Sequence, residues 1–264
     1  MSEVIQFDVD ARGIARVTLN RPERHNAFDE ALIAAISEAF AEIEVRSDVR
    51  AVVLSGNGPS FCAGADLGWM KRAADWSEAE NEADAMKLSA MLDAIDRCRA
   101  PVIVVAHGGV YGGGVGLVAC ADIAVATPDA KFRLSEVRLG LTPATISPFV
   151  IRAIGPRAAR RYFTTAELFD AVTAHDLKLV HELADDRSGA DAWVDAWIKA
   201  LLENAPGAVA DAKALVRDLA GAPITPDLRA ETARRIAARR ADPEGREGVS
   251  AFLAKRRPNW NIDA

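Results

Sequence analysis

Apolar and polar positions along the chain form blocks that predict strands and helices in turn. Val4-Ile5-Gln6-Phe7-Asp8-Val9 and Ile14-Ala15-Arg16-Val17-Thr18-Leu19 have strand composition and flank the turn signal Asp10-Ala11-Arg12-Gly13, which predicts a hairpin. Leu32, Ile33, Ile36, Phe40 and Ile43 then recur at helical spacing, with Asn26 or Asp29 available as the starting cap. Ala51-Val52-Val53-Leu54 is a short apolar run closed by Ser55-Gly56-Asn57-Gly58-Pro59, which suits a buried strand entering a loop. Met86, Leu88, Met91, Leu92 and Ile95 predict a second helix, Pro101–Ala106 a strand ending in a glycine-rich loop, and Ile123–Ala126 a further strand.

This alternation through about residue 185 predicts an α/β core with parallel pairing. The last third differs. Trp193, Val194, Trp197, Ile198, Leu201 and Leu202 form a helical stripe, as do Val209, Ala212, Leu215 and Val216, and an arginine-rich helix follows Pro223 and Pro226. The expected organisation is a core over 1–189 and a helical appendage over 190–264.

Composition narrows the function. The chain has 264 residues, 50% of them hydrophobic, and a net charge of −6, which speaks against general nucleic-acid binding. No apolar run approaches the roughly 20 residues of a membrane span, and the first residues read as neither an export nor an organelle signal, so a cytosolic location is expected. Cys62, Cys98 and Cys120 have no metal-ligand spacing; Cys62 and Cys120 read as small buried residues, and no paired base marks either as a nucleophile.

Two glycine loops carry the candidate chemistry: Phe61-Cys62-Ala63-Gly64-Ala65-Asp66-Leu67, and Gly108-Gly109-Val110-Tyr111-Gly112-Gly113-Gly114-Val115-Gly116. Small residues admit a ligand close to the backbone, and a loop that opens a helix presents free N–H groups to an anion or a developing oxyanion. The glycine spacing does not match a dinucleotide-binding fingerprint. Taken singly, close backbone packing explains either loop.

The loops sit within a longer ordered pattern: Leu19-Asn20-Arg21-Pro22-Glu23-Arg24-His25-Asn26-Ala27-Phe28, Phe61–Asp66, Gly112–Gly114, Cys120-Ala121-Asp122-Ile123-Ala124, Phe132-Arg133-Leu134-Ser135-Glu136, and Arg246–Phe252. Together these resemble the enoyl-CoA hydratase/isomerase (crotonase) family over nearly the whole chain. Gly113–Cys120, Leu134–Gly140 and Pro143–Pro148 carry a narrower resemblance to bacterial methylglutaconyl-CoA hydratases and their isohexenylglutaconyl relatives.

The resemblance implies an α/β spiral of ββα units, trimerisation through the C-terminal helices, often as a dimer of trimers, and an acyl-CoA thioester substrate. No metal or redox cofactor is implied; CoA arrives with the substrate. By position, the N–H groups of Ala65 and Gly113 would polarise the thioester carbonyl, an arrangement in which losing one donor costs ~3–4 kcal/mol of barrier. Glu136 would be the acid/base, against the plainer reading of a surface carboxylate paired with Arg133 or Arg138.

Family hydratases usually hold water between two glutamates, and the place of the other is Gly116. The hydratases this chain most resembles share that glycine, and its lack of a side chain is expected to open room for a branched or carboxylated acyl group such as 3-methylglutaconyl. One-carboxylate isomerases fit the same pattern, and a non-catalytic acyl-CoA- or RNA-binding relative is a third reading.

Among further contacts, Arg24 would meet CoA phosphates or be a solvated arginine. Ala63, Asp66, Leu67 and Gly112 would border the substrate or the adenine, with a structural role as the alternative for Asp66. Phe252 and Lys255 would contact CoA from this subunit or a neighbour. Trp69 and Met70 would wall the acyl pocket or simply form a helix face. Lys71 or Arg72 would meet a distal carboxylate or be solvated. His107 reads as packed or backbone-bonded, with a base near the site as the alternative, and Tyr111, Ser135 and Thr142 are candidates for holding water.

Overall fold

The computed structural model describes residues 4–261. The expected hairpin pairs β1 (Ile5–Val9) with β2 (Ile14–Leu19), its turn held by the Asp10 carboxylate, which accepts from the Arg12 and Ile14 N–H groups. Helix α1 (Glu30–Val45) is capped by Asp29, whose side chain accepts from Leu32 N–H. Asn26, the other expected cap, is instead buried with left-handed backbone.

The chain then repeats one plan. A long strand leads to a short extended segment and then to helix. The turns are β3 (Ala51–Gly56), the bridge-forming residues Ser60 and Cys62, and α2 (Leu67–Ala73) with α3 (Glu78–Arg97); then β4 (Val102–Ala106), β5 (Gly109–Tyr111) and α4 (Gly113–Cys120); then β6 (Ile123–Ala126), β7 (Lys131–Arg133) and α5 (Ser147–Thr165). β8 (Phe169–Asp170), α6 (Ala171–Asp176) and β9 (Glu182–Leu183) complete two sheets, ordered β1-β2-β3-β4-β6-β9 and β5-β7-β8. The large sheet is parallel from β2 onward.

Its strands are apolar on both faces because both faces are covered. Val52 and Leu54, Val102 and Val104, and Ala124 and Ala126 point to the side of α1 and α3, whereas Ala51, Val53, Ile103, Val105 and Val125 point to the other. That second face is covered by α7 (Arg187–Leu202) through Ala190, Val194, Ile198 and Leu202. The expected boundary at 190 therefore falls inside a core helix and needs correction: Val194, Ile198 and Leu202 are buried on the sheet. The helices beyond are the true appendage. α8 (Pro206–Leu219) and α9 (Pro226–Ala241) bury no residue, and α10 (Pro243–Leu253) buries only Ala251. Arg234, Arg235 and Arg239 of α9 are laced to Glu231, Asp218, Asp211 and Glu244, while Ile224, Ile236, Val249, Phe252 and Leu253 stand exposed.

Candidate active site

The carboxyl ends of parallel strands are where an α/β sheet opens into loops that can hold a ligand. Here the loops after β3, β4 and β7 meet. The first is stapled by Asn26. Its side-chain amide donates to the Asn57 and Ser60 carbonyls at 2.9 and 2.8 Å, and its oxygen accepts from Arg21 N–H. Phe28 then forms a single parallel bridge to Ala65, its N–H donating to the Gly64 carbonyl at 2.6 Å and its carbonyl accepting from Asp66 N–H at 2.8 Å. A parallel bridge uses the groups of the flanking residues. The N–H of Ala65 is thus turned away, and it donates to nothing among the described residues.

The second loop extends the β5–β7 ladder by one bond, from Gly112 N–H to the Arg133 carbonyl at 2.9 Å. Gly112 then reverses the chain at φ 49°, ψ −115°, a conformation disfavoured for residues with a Cβ, and α4 starts at Gly113. As the first residue of the helix, Gly113 has an N–H with no acceptor among the described residues. The loops touch: a Cβ on Gly64 would lie 3.0 Å from the Tyr111 carbonyl and 3.8 Å from Gly112 Cα.

Glu136 opens the turn after β7. A Cβ on Gly112 would lie 3.0 Å from its Oε1, and its Oε2 is buried with no hydrogen-bond partner. Burial raises its pKa above the ordinary carboxylate value. The alternative of an ion pair with Arg133 or Arg138 is absent among the described residues, where Glu136 Oε2 and Arg133 Nε are both without a partner. Ala65, Gly113 and Glu136 line one cavity of about 360 Å³, walled by Phe28, Trp69, Leu88 and Ile146. A larger hollow, near 450 Å³, lies at the far end of α4, where Asp96 pairs with Arg152 and Asp122 with Lys213.

The other expected residues divide. Ala63, Leu67 and Gly112 border the cavity, as do Met70, Ser135 and Thr142. Asp66 is structural: it caps α2, accepting from Gly68 and Trp69 N–H, and accepts from Arg24 Nη1 at 2.9 Å. Burial pushes its pKa up, but these bonds outweigh it and leave it below its ordinary value. Arg24 is therefore partly engaged already, with its side chain 56% exposed.

Gly116 is not at the cavity. A Cβ there would lie 2.6 Å from Ile146 Cγ2, so the room expected from the missing side chain is filled by Ile146. Phe252, at the end of α10, and Lys255, just beyond it, are also not among its lining residues. Arg72 is paired with Glu30, and Lys71 does not line the cavity. His107 is packed, its Nε2 bonded to the Gly58 carbonyl, and burial lowers its pKa. Burial also pushes the Cys62 thiol up to about 12 and Cys98 to about 11. Phe28, Leu88, Thr145 and Ile146 were not read as cavity residues from sequence; only the period of α3 marked Leu88 as inward-facing.

Comparison with known proteins agrees with this architecture. A model of the enoyl-CoA hydratase/isomerase family matches residues 10–262. The crystal structure of an enoyl-CoA hydratase from Shewanella pealeana is similar with TM-score 0.95 and 40% identity, over 98% of this chain and 97% of that one. Enoyl-CoA hydratase ACTT6 of Alternaria alternata is 36% identical over 207 residues, 78% of this chain and 67% of its own. The mitochondrial Delta(3,5)-Delta(2,4)-dienoyl-CoA isomerase of Mus musculus is 38% identical over 150 residues, 53% of this chain and 45% of its own. The fold is the crotonase fold, and the chain belongs to the enoyl-CoA hydratase/isomerase family of enzymes.

Proposed function

We propose that this enzyme hydrates a 2-enoyl-CoA. The observation that carries the reading is the meeting of a half-buried carboxylate, Glu136, whose Oε2 is buried without a partner, with two backbone N–H groups, those of Ala65 and Gly113, that have no acceptor among the described residues. The thioester oxygen accepts from both N–H groups, so charge arriving there as the enolate forms meets fixed donors. Glu136 takes a proton from water; the oxygen of that water bonds to C3 as the double bond opens, and the proton returns to C2. One carboxylate suffices for the balance, since the proton it takes is the proton it gives. Ser135, Thr142 and Thr145 supply hydroxyls along the same wall to orient the water.

Among the described residues no Lys, Arg or His lines the cavity. A second substrate carboxylate would face Glu136 without a counter-charge, at the cost that attends an unpaired buried ion. This favours an uncharged, branched or straight acyl group over 3-methylglutaconyl. Self-association through α8–α10, as a trimer or dimer of trimers, accompanies the reading and is supported by the exposed Val249, Phe252 and Leu253.

Double-bond isomerisation is the second reading, favoured by the single carboxylate and by the likeness to a dienoyl-CoA isomerase. Mass spectrometry of 2-enoyl- and 3-enoyl-CoA esters, crotonyl-CoA and 3-methylglutaconyl-CoA included, separates the two. Gain of one water with wild type and not with Glu136→Gln is expected; a shifted double bond at constant mass would replace hydration by isomerisation.

A further inference from the structure

A second buried carboxylate stands outside this machinery. Asp84, on α3, is 7% exposed, and among the described residues its one hydrogen bond is accepted from Trp69 Nε1 at 3.0 Å. The bond is a directional tie between α2 and α3, with the donor hydrogen fixed in the plane of the indole ring. Its presence directs attention to what Trp69 does.

Trp69 belongs to α2, a seven-residue helix with no buried residue of its own. Packing therefore anchors α2 weakly, and side-chain ties do the rest. Asp66 holds its first turn, the exposed Arg72–Glu30 pair its end, and Trp69–Asp84 its middle. Only the last of these fixes the orientation of a ring that lines the acyl cavity. Leu88 lies one helical turn beyond Asp84 on the same face of α3 and lines that cavity too, so α3 supplies both the anchor and the adjoining wall.

We propose that Asp84 is a positioning residue that locks the Trp69 indole as the end wall of the acyl pocket, so that this pair sets the length of acyl chain admitted. The proposal rests on the acyl-CoA reading above. The substrate class it names is an acyl-CoA with an uncharged acyl chain that ends against the indole. Without the Asp84 bond the ring is free to change rotamer and the wall yields.

The test is calorimetric binding of saturated straight-chain acyl-CoA esters of increasing length to wild type, Trp69→Ala, Asp84→Leu and Asp84→Asn. Saturated esters have no double bond to hydrate or move, so binding is read apart from turnover. Each methylene buried tightens binding about fourfold. In wild type the gain stops where the chain meets the indole. In Trp69→Ala it continues for roughly two more methylenes, about 15-fold in all. Asp84→Leu moves the cut-off the same way by less, and Asp84→Asn, which keeps an acceptor for the indole, retains the wild-type cut-off. A merely structural role would lower Tm without moving the cut-off. If Asp84→Leu does not fold, Asp84→Ala, which also removes the acceptor, takes its place with the same expected shift of the cut-off. Affinity changes equal at every chain length would overturn the proposal and leave the acyl-CoA site standing. Failure of wild type to bind any of the esters would overturn the acyl-CoA reading, and the proposal with it.

Discussion

Replacing Gly116 by alanine adds one carbon where the structure has no room for it. The new Cβ would sit 2.6 Å from Ile146 Cγ2, 3.1 Å from Ile146 Cβ and 3.6 Å from Leu92 Cδ2. Carbon atoms pack at about 3.5–4.0 Å, so about 1 Å must be gained by moving a neighbour. Ile146 is buried and stiff at χ1, and α4 is buried from Gly114 to Cys120, so neither yields easily. Overpacking of this kind costs about 1–3 kcal/mol, and the better helix propensity of alanine returns about 1 kcal/mol. The expected net loss is up to about 2 kcal/mol, or up to roughly 4–8 °C in Tm.

Activity should suffer more. Gly113 begins the same helix, and displacing its N–H by 1 Å is enough to cost about 100-fold in kcat. Ile146→Ala alone should cost about 2–5 kcal/mol through the cavity it leaves. In the double variant the alanine methyl occupies part of that cavity, so the two losses should fall short of their sum by about 1 kcal/mol or more. Urea melts of the four proteins and initial rates of enoyl-CoA hydration measure both effects. Additivity within about 0.5 kcal/mol, with kcat unchanged in Gly116→Ala, would refute the packing argument. So would faster hydration by Gly116→Glu, which should be the most damaged variant because it adds a carboxylate to the same crowded place.

Glu136→Gln should lower kcat by about 10²–10⁴-fold, and the acid limb of the wild-type pH–rate profile should have its midpoint above the ordinary carboxylate value. Because burial raises the Glu136 pKa in the folded state, its favourable contribution is full below the unfolded pKa and is lost as pH rises through the folded one. Glu136→Gln should therefore gain stability relative to wild type between acid pH and neutrality, as thermal melts at several pH values would reveal. Gly112→Ala places a Cβ at positive φ and 3.0 Å from Glu136 Oε1, so strain of about 1–3 kcal/mol should accompany a fall in kcat at nearly constant KM. Asp66→Ala removes the α2 cap and the Arg24 tie, a loss of about 1–3 kcal/mol in denaturant melts. As the Asp66 pKa is lowered by folding, that loss should shrink as pH falls through the carboxylate range.

The hairpin and the buried strands were legible because their periods are local. Val52 and Val53 face opposite sides of one strand, and a continuous apolar run is what double coverage requires. The glycine loops were legible because their signal is the absence of side chains where backbone must be reached. What sequence did not reveal depends on contacts between distant segments. The stripe on α7 looked like that of an appendage, since nothing local distinguishes packing on a sheet from packing on another helix. Gly116 looked like empty space, but the atom that fills it belongs to Ile146, thirty residues on. Asp84 carried no signal, being one acid among several in a polar helix whose inward turn only the fold defines.

A crystal structure with an acyl-CoA bound tests the central claim most directly. The account predicts the thioester oxygen within about 2.7–3.1 Å of both the Ala65 and Gly113 nitrogens, with Glu136 beside C2 and C3. A thioester oxygen held by any other group, or an acyl chain lying outside the cavity between Phe28, Trp69 and Ile146, would contradict it.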